Sequence, residues 1–348
     1  MGTIETGASS DIILKLVDVK VHYPVLKGLL RRQVGAVKAV DGVSLEIRRG
    51  ETVGLVGESG SGKTSLARSV MRIVNATAGT ITYADESGGR HVINELSGGA
   101  LREIRRDVRM IFQDPHSSLD PRYTVRRIIA EPILAHGVLR EAAEVDARVG
   151  DLLEMVGLHR EYADRYPHMF SGGERQRIGI ARALALSPRL VVCDEAVSAL
   201  DVSVQAQVIN LLEDLQEQTG LTYLFVSHDL SIVRHISDRV AVMYAGRLVE
   251  FGETDKLYKA PLHPYTEALL SAVPLADPSV RQGRERIRLK GEVPDPANPP
   301  SGCHFNPRCR YATDRCRTET PVYREAHAGR FVACHYAGEL NLAGAASA

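Results

Sequence analysis

The chain has 348 residues, room for one large domain with an extension or for two domains, each able to bury a core. Lysine plus arginine equals aspartate plus glutamate at 43 each, so no global basic field advertises nucleic-acid binding. No apolar stretch approaches the roughly 18 residues of a membrane span, and residues 1–11 lack a basic region followed by an apolar one, which predicts a soluble, cytosolic chain.

Residues 1–10 are expected to be disordered. Ile12 to Val21 alternate apolar and polar, and Ala39 to Ile47 do so again, the pattern of edge-type antiparallel strands. An apolar strand, Val53 to Val56, leads into Gly57-Glu58-Ser59-Gly60-Ser61-Gly62-Lys63-Thr64, and a helical run begins near Ser65. Strand, glycine-rich loop and helix in that order are the setting of a phosphate-binding loop. The glycines let amide N–H groups point inward, Lys63 reaches β- and γ-phosphates, and the Thr64 hydroxyl can ligate Mg²⁺, so ATP or GTP is the expected ligand. A plain glycine-rich turn with a solvated lysine would not need the flanking strand and helix.

Thr80 to Tyr83 and Arg90 to Ile93 read as further strands, and Leu101 to about Ala185 as a mainly helical insert, with helical apolar spacing in Asp151 to Leu158 and Ile178 to Leu184. Two short apolar runs follow, Leu190 to Cys193 ending in Asp194-Glu195 and Thr222 to Val226 ending in Ser227-His228-Asp229. Both suit buried parallel strands whose polar residues emerge at the carboxyl end, where open α/β sheets bind ligands. Beyond Ala260 a series of prolines from Pro261 to Pro300 breaks any long element, which predicts a boundary near residue 260. Residues 342–348 are expected to form a frayed, disordered tail.

Phosphoryl transfer needs a phosphate cradle, a metal site, an oriented water and charge stabilisation. Gln113 follows the apolar run Met110 to Phe112; Ser171-Gly172-Gly173-Glu174 opens a helix whose amides and dipole can face a phosphate; and Asp194-Glu195 offers one carboxylate for Mg²⁺ and one to polarise water. Ser198 to Asp201 and His228 complete the series. Each alone has an ordinary explanation: a capped helix, chance acids after a strand, a structural histidine. Their order does not.

In that order the motifs resemble the ATP-binding cassette family, over about residues 11–260. Walker A is Gly57 to Thr64, the Q-loop Gln113, the signature Ser171 to Glu174, Walker B Leu190 to Asp194, the catalytic glutamate Glu195, the D-loop Ser198 to Asp201 and the switch histidine His228. The resemblance implies an α/β P-loop nucleotide-binding domain with a mixed-sheet core, an antiparallel β subdomain and a helical subdomain. It implies that two such domains pair head to tail, each ATP lying between one Walker A and the other's signature. Gly57, Ser59, Gly60, Ser61, Gly62, Lys63, Thr64 and Ser65 would surround the phosphates, Tyr23 would stack on adenine, and Ser171, Gly172, Gly173 and Asp201 would serve the opposite site. Mg²⁺ would draw on Thr64, Gln113 and Asp194; Glu195 would activate water, His228 would contact the γ-phosphate, and Gln113 would couple to a membrane subunit. Glu174 departs from the glutamine of many members, with Ser171 and Gly173 intact.

Phe112-Gln113-Asp114-Pro115 with Ser118 to Arg122, and His263-Pro264-Tyr265-Thr266 with the later Gly302-Cys303 cluster, are similar to ATPase subunits of dipeptide and oligopeptide importers, a group that also serves nickel, glutathione and some sugars. The resemblance implies a cassette at 11–260 and a Pro/Cys-rich extension at 261–341. It also implies two transmembrane permease subunits, a second ATPase for which the resemblance favours a paralogue over a copy of this chain, an extracytoplasmic substrate-binding protein, and a place at the cytoplasmic face of the inner membrane. A soluble cassette ATPase acting on DNA or ribosomes fits less well, because Lys63 and Ser171 are too close for an intervening coiled coil and the chain has one cassette.

Cys193 sits alone in an apolar run and reads as a small buried hydrophobe. Cys303, Cys309, Cys316 and Cys334 cluster, but their spacing matches neither zinc-ribbon nor ferredoxin patterns. Resemblance to the extension of some peptide-importer ATPases implies a [4Fe-4S] cluster there. Zn²⁺ or free thiols remain open, with His304 and His335 as possible substitute ligands.

Overall fold

The computed structural model describes residues 11–28, 32–114, 118–273 and 286–345. The chain divides into two compact units, one of Met1–Leu14, Glu46–Glu51 and Thr82–Val226, the other of Lys15–Leu45, Thr52–Ile81 and Ser227–Ala348. Residues 1–10 and 346–348, at the two expected disordered ends, lie outside the described residues, as does Pro115.

In the first unit β6 (Val108–Ile111), β7 (Leu190–Asp194) and β8 (Thr222–Val226) run parallel, with β7 in the middle. Both outer neighbours cover β7, and all five of its residues are buried, which is why it reads as an unbroken apolar run. Among the described residues the α-helices of this unit include α2 (Gly98–Asp107), α3 (Val125–His136), α4 (Ala142–Met155), α5 (Gly172–Leu184) and α6 (Val202–Thr219). Strand β6 interrupts the stretch expected to be helical; its four residues pair with β7 and three of them are buried, which favours a strand over what their helical surroundings suggest. The end of β4 (Ala78–Ala84) pairs antiparallel with β5 (Arg90–Val92).

In the second unit β1 (Ile12–Lys27) lies between β2 (Arg32–Arg48) and β4. The buried residues Leu14, Leu16, Val19 and Val21 change phase at Asp18, whose φ of 47° marks a kink in the strand. The first strand runs past the expected Val21 to Lys27, and β2 starts at Arg32, well before Ala39. A mixed sheet follows in the order β11 (Arg324–His327), β12 (Arg330–Val332), β10 (Arg247–Glu253), β9 (Arg239–Tyr244), β3 (Thr52–Val56). Only the β3 and β9 pair is parallel; β9 with β10, β10 with β12 and β11 with β12 are antiparallel. The remaining helices are α1 (Lys63–Val70), α7 (Leu230–Ile236), α8 (Thr254–Lys259), α9 (Pro264–Ser271) and α10 (Asp314–Thr318).

Residues beyond 260 are not a separate body within this unit, since β12 pairs Val332 with Glu250 and Phe331 with Phe251. The stretch expected to fray is tied as far as Ala345: the Ala343 N–H donates to Glu267 (2.9 Å) and the Ala345 N–H to the Tyr258 carbonyl (2.6 Å). Small side chains let it approach closely; a Cβ on Gly344 would meet the Lys259 carbonyl oxygen at 2.0 Å. Among the described residues no helix is long and apolar enough to cross a membrane.

Candidate active site

The phosphate loop leaves β3 and feeds α1, all within the second unit. Gly57, Gly60 and Gly62 have φ of 153°, 78° and 104°. At Gly62 glycine is obligatory twice over, because a Cβ there would meet the Ala39 carbonyl oxygen at 1.9 Å as well as being strained by the positive φ. Lys63 is 4% exposed, and its Nζ donates to the Gly57 carbonyl (2.8 Å) and the Glu58 carbonyl (3.1 Å), closing the loop around its own ammonium. The Ser61 hydroxyl is buried with no hydrogen-bond partner among the described residues, an orphan that a phosphate oxygen would satisfy. Tyr23, 38% exposed, shares a hydrogen bond of 3.2 Å with Ser65, so its ring stays accessible beside the start of α1. His228 is exposed at the mouth of β8, between the buried Ser227 and Asp229, whose carboxylate caps α7 through Ser231 and Ile232.

The first unit carries the hydrolytic candidates. Asp194, 1% exposed, ends β7. Glu195 follows at φ 49°, a left-handed conformation that costs a non-glycine residue of order 1–3 kcal/mol and is characteristic of functional sites. Its backbone N–H donates to the Val226 carbonyl (3.0 Å), and its carboxylate accepts from Gln113 Nε2 at 2.7 Å. The structure thus brings together two residues 82 apart in sequence that were singled out separately.

Ser171 caps α5 in a reciprocal box. Its Oγ accepts from the Glu174 N–H (3.3 Å), while the Glu174 carboxylate accepts from the Ser171 N–H and hydroxyl, both at 2.8 Å. The Ser171 N–H, above all, holds the Glu174 carboxyl below its ordinary range. This role needs only an acceptor oxygen, which glutamine also supplies, so the departure at Glu174 leaves the helix start intact. Gly173 lies so close to α6 that a Cβ would meet Val204 Cγ1 at 2.4 Å. Asp201 caps α6, accepting the Val204 N–H at 3.0 Å.

The four clustered cysteines line one narrow cavity together with His263, Phe305, Tyr311 and His335. Burial pushes the Cys309 thiol up to about 12 and Cys334 up to about 11, and raises Cys303. The expected metal centre is not met as a ready ligand set: among the described residues no three His, Cys, Asp or Glu side chains gather to hold one ion. His304 does not serve as a substitute, since its Nδ1 is engaged with the Ala245 carbonyl at 3.2 Å and it faces a different cavity. The cavity is narrow and its walls include Phe305, Tyr311 and Leu340, so the thiols pack among largely apolar side chains. Sequence reasoning missed Arg308, whose guanidinium grips Glu58 in the phosphate loop. An arginine beside a cysteine carries no pattern that would single it out.

A phosphate loop, a glutamine and glutamate pair at the strand ends and a Ser-Gly-Gly helix start define a P-loop ATPase of the cassette class. The ABC transporter family profile matches residues 40–198, and that of the "Oligopeptide/dipeptide transporter, C-terminal region" matches residues 249–316. The chain is 54% identical to the oligopeptide transport ATP-binding protein AppF of Bacillus subtilis, covering 95% of this chain and 99% of the relative. It is 49% identical to the dipeptide transport ATP-binding protein DppF of Haemophilus influenzae (93% and 96%) and 48% identical to the oligopeptide transport ATP-binding protein OppF of Salmonella typhimurium (89% and 92%). Among solved structures, the dimeric post-hydrolysis state of the ATP-binding cassette MJ0796 bound to ADP and Pi is similar at a TM-score of 0.60 and 27% identity, covering 70% of this chain and 99% of that one. The chain belongs to the ABC transporter family as an ATP-binding subunit of the oligopeptide/dipeptide transporter branch, and it is an ATPase.

Proposed function

We propose that this chain powers the import of dipeptides or oligopeptides across the cytoplasmic membrane by hydrolysing ATP. The observation that carries the reading is the match of the oligopeptide/dipeptide C-terminal region at residues 249–316, which lies outside the ATP chemistry and is therefore independent of it. Lys63 and the loop amides from Gly57 to Thr64 bind the phosphates, with Ser59, Ser61 and Ser65 nearby. Thr64, Asp194 and Gln113 would hold Mg²⁺, which would supply charge neutralisation at the phosphate oxygens. Glu195 takes the proton of the attacking water, oriented by Gln113, and His228 contacts the γ-phosphate. Tyr23 stacks on the adenine, and Ser171, Gly172, Gly173 and Asp201 serve the ATP of a second cassette, a paralogue. The work is done with two permease subunits at the cytoplasmic face of the inner membrane and an external binding protein that selects the substrate.

The cysteine-lined cavity belongs to the extension at 261–341. Four thiols on one cavity are the donor type of an iron–sulfur cluster, and we assign Cys303, Cys309, Cys316 and Cys334 as its ligands, in a structural role. Iron and acid-labile sulfide in anaerobically purified protein test this; protein free of both metal and visible absorbance, yet fully active, removes the assignment.

The function is tested by uptake of labelled peptides against labelled nickel in cells carrying the intact gene or Glu195→Gln. The variant keeps ATP binding while hydrolysis falls by about 10²–10⁴-fold, the usual contribution of a general base, and peptide uptake stops. Unchanged peptide uptake with lost nickel uptake would move the substrate to nickel; hydrolysis near the wild-type rate would remove Glu195 as the base.

A further inference from the structure

Glu58 is the second residue of the phosphate loop, and its polar groups are held from several directions. Its N–H donates to the Tyr265 hydroxyl at 2.8 Å, its carbonyl accepts from Lys63 Nζ at 3.1 Å, and its carboxylate is gripped by Arg308 through Nη1 to Oε2 at 2.5 Å and Nη2 to Oε1 at 3.1 Å. Two parallel N–H···O bonds between planar groups make the strong fork-to-fork arrangement. The pair is sheltered: the Arg308 side chain is 6% exposed and that of Glu58 28%.

Arg308 is itself fixed. It ends a tight 3₁₀ turn, Asn306–Arg308, in which its N–H donates to the Phe305 carbonyl (3.0 Å) and the Asn306 side chain ties down the carbonyls of Ser301 (2.9 Å) and Cys303 (2.8 Å). Phe305, 2% exposed, packs against Tyr244 and Tyr265 with ring centroids 5.1 and 5.4 Å away. Tyr265 is the same residue that receives the Glu58 N–H. One rigid aromatic cluster therefore carries both anchors of Glu58.

We infer that Arg308 and Tyr265, both C-terminal to the cassette's motifs, are positioning residues for ATP binding: they fix the Glu58 backbone in the loop and neutralise a carboxylate that would otherwise stand beside a polyanion. The inference rests on the reading of residues 57–64 as the ATP loop. Without Arg308 the loop would keep its glycines and Lys63 but present an uncompensated negative charge to the incoming phosphates, so affinity falls while the chemical step, which Arg308 does not touch, does not.

The test is MgATP affinity of the full-length chain, together with KM and kcat of the assembled transporter, in a double-mutant cycle of Arg308→Ala and Glu58→Gln. Arg308→Ala is expected to raise Kd and KM for ATP about tenfold with kcat within about twofold of wild type, as loss of a charge-assisted, bidentate pair implies. In the Glu58→Gln background the same change should cost less than about threefold, because the charge to be neutralised is gone. Arg308→Lys, which keeps the charge and loses the fork, should fall between, and it decides the matter if Arg308→Ala does not fold. Affinity within about twofold of wild type in Arg308→Ala, or an equal loss in both backgrounds, overturns the inference. Lys63→Ala is the separate control: a wild-type chain whose ATP binding was absent or indifferent to Lys63 would overturn the loop reading, and the inference with it.

Discussion

In the phosphate loop Lys63 donates to carbonyls only five and six residues before it, whereas in the extension three arginines reach carboxylates far away in sequence. Arg310 meets Glu267 across 43 residues, Arg330 meets Glu250 across 80, and Arg308 meets Glu58 across 250. The bends of the loop follow from where glycine sits, with Glu58 alone tied from outside by Tyr265 and Arg308; the extension is held by pairs that exist only once the chain has folded. The two regions also differ in what a single substitution removes. In the loop it removes a permitted backbone conformation. In the extension it strips a buried charge of its partner.

The largest expected effect sharpens that contrast. Glu250 is fully buried, accepts the Leu262 and His263 N–H groups at 2.8 and 3.0 Å, and is paired with Arg330 at 3.0 Å. Burial raises the Glu250 carboxyl, with the surrounding donors and Arg330 opposing. Arg330→Met should therefore destabilise the chain by about 3–5 kcal/mol in equilibrium denaturation, the usual cost of stranding a buried charge. A loss below about 1 kcal/mol would show that Glu250 simply takes up a proton, and that the extension does not depend on its ion pairs.

A smaller effect is expected from Gly62→Ala. Positive φ for a non-glycine residue costs of order 1–3 kcal/mol, and the overlap with the Ala39 carbonyl forces the loop to shift. ATP affinity should fall about ten- to a hundredfold, while equilibrium stability drops by no more than the roughly 1–3 kcal/mol of strain, less than for Arg330→Met. If stability collapsed instead and affinity held, the loop would be a structural element of the second unit in the way the extension is, and the distinction between the regions would fail.

Much of the site was legible because its chemistry is written in short segments. Strand, loop and helix around Gly57 to Thr64, and the apolar strand ending in Asp194-Glu195, needed only residue order and burial pattern. Helical spacing over-predicted helix between 101 and 185, since the pairing of Val108–Ile111 with Leu190–Cys193 overrides local preference. The strand at Ile12 was found but its length was not, because beyond Val21 none of the residues to Lys27 is buried and no alternation marks the strand there.

By itself the sequence determined the order of motifs, and with it the cassette class and the candidate site residues, because backbone conformation at glycines and the placement of polar residues after apolar strands are local properties. Only the tertiary structure decided that Gln113 bonds Glu195, that the four cysteines share one cavity and that Arg308 grips the phosphate loop. Those contacts join residues whose separation along the chain has no period or composition to mark it, and they form only where burial makes an unpaired polar group too costly to leave.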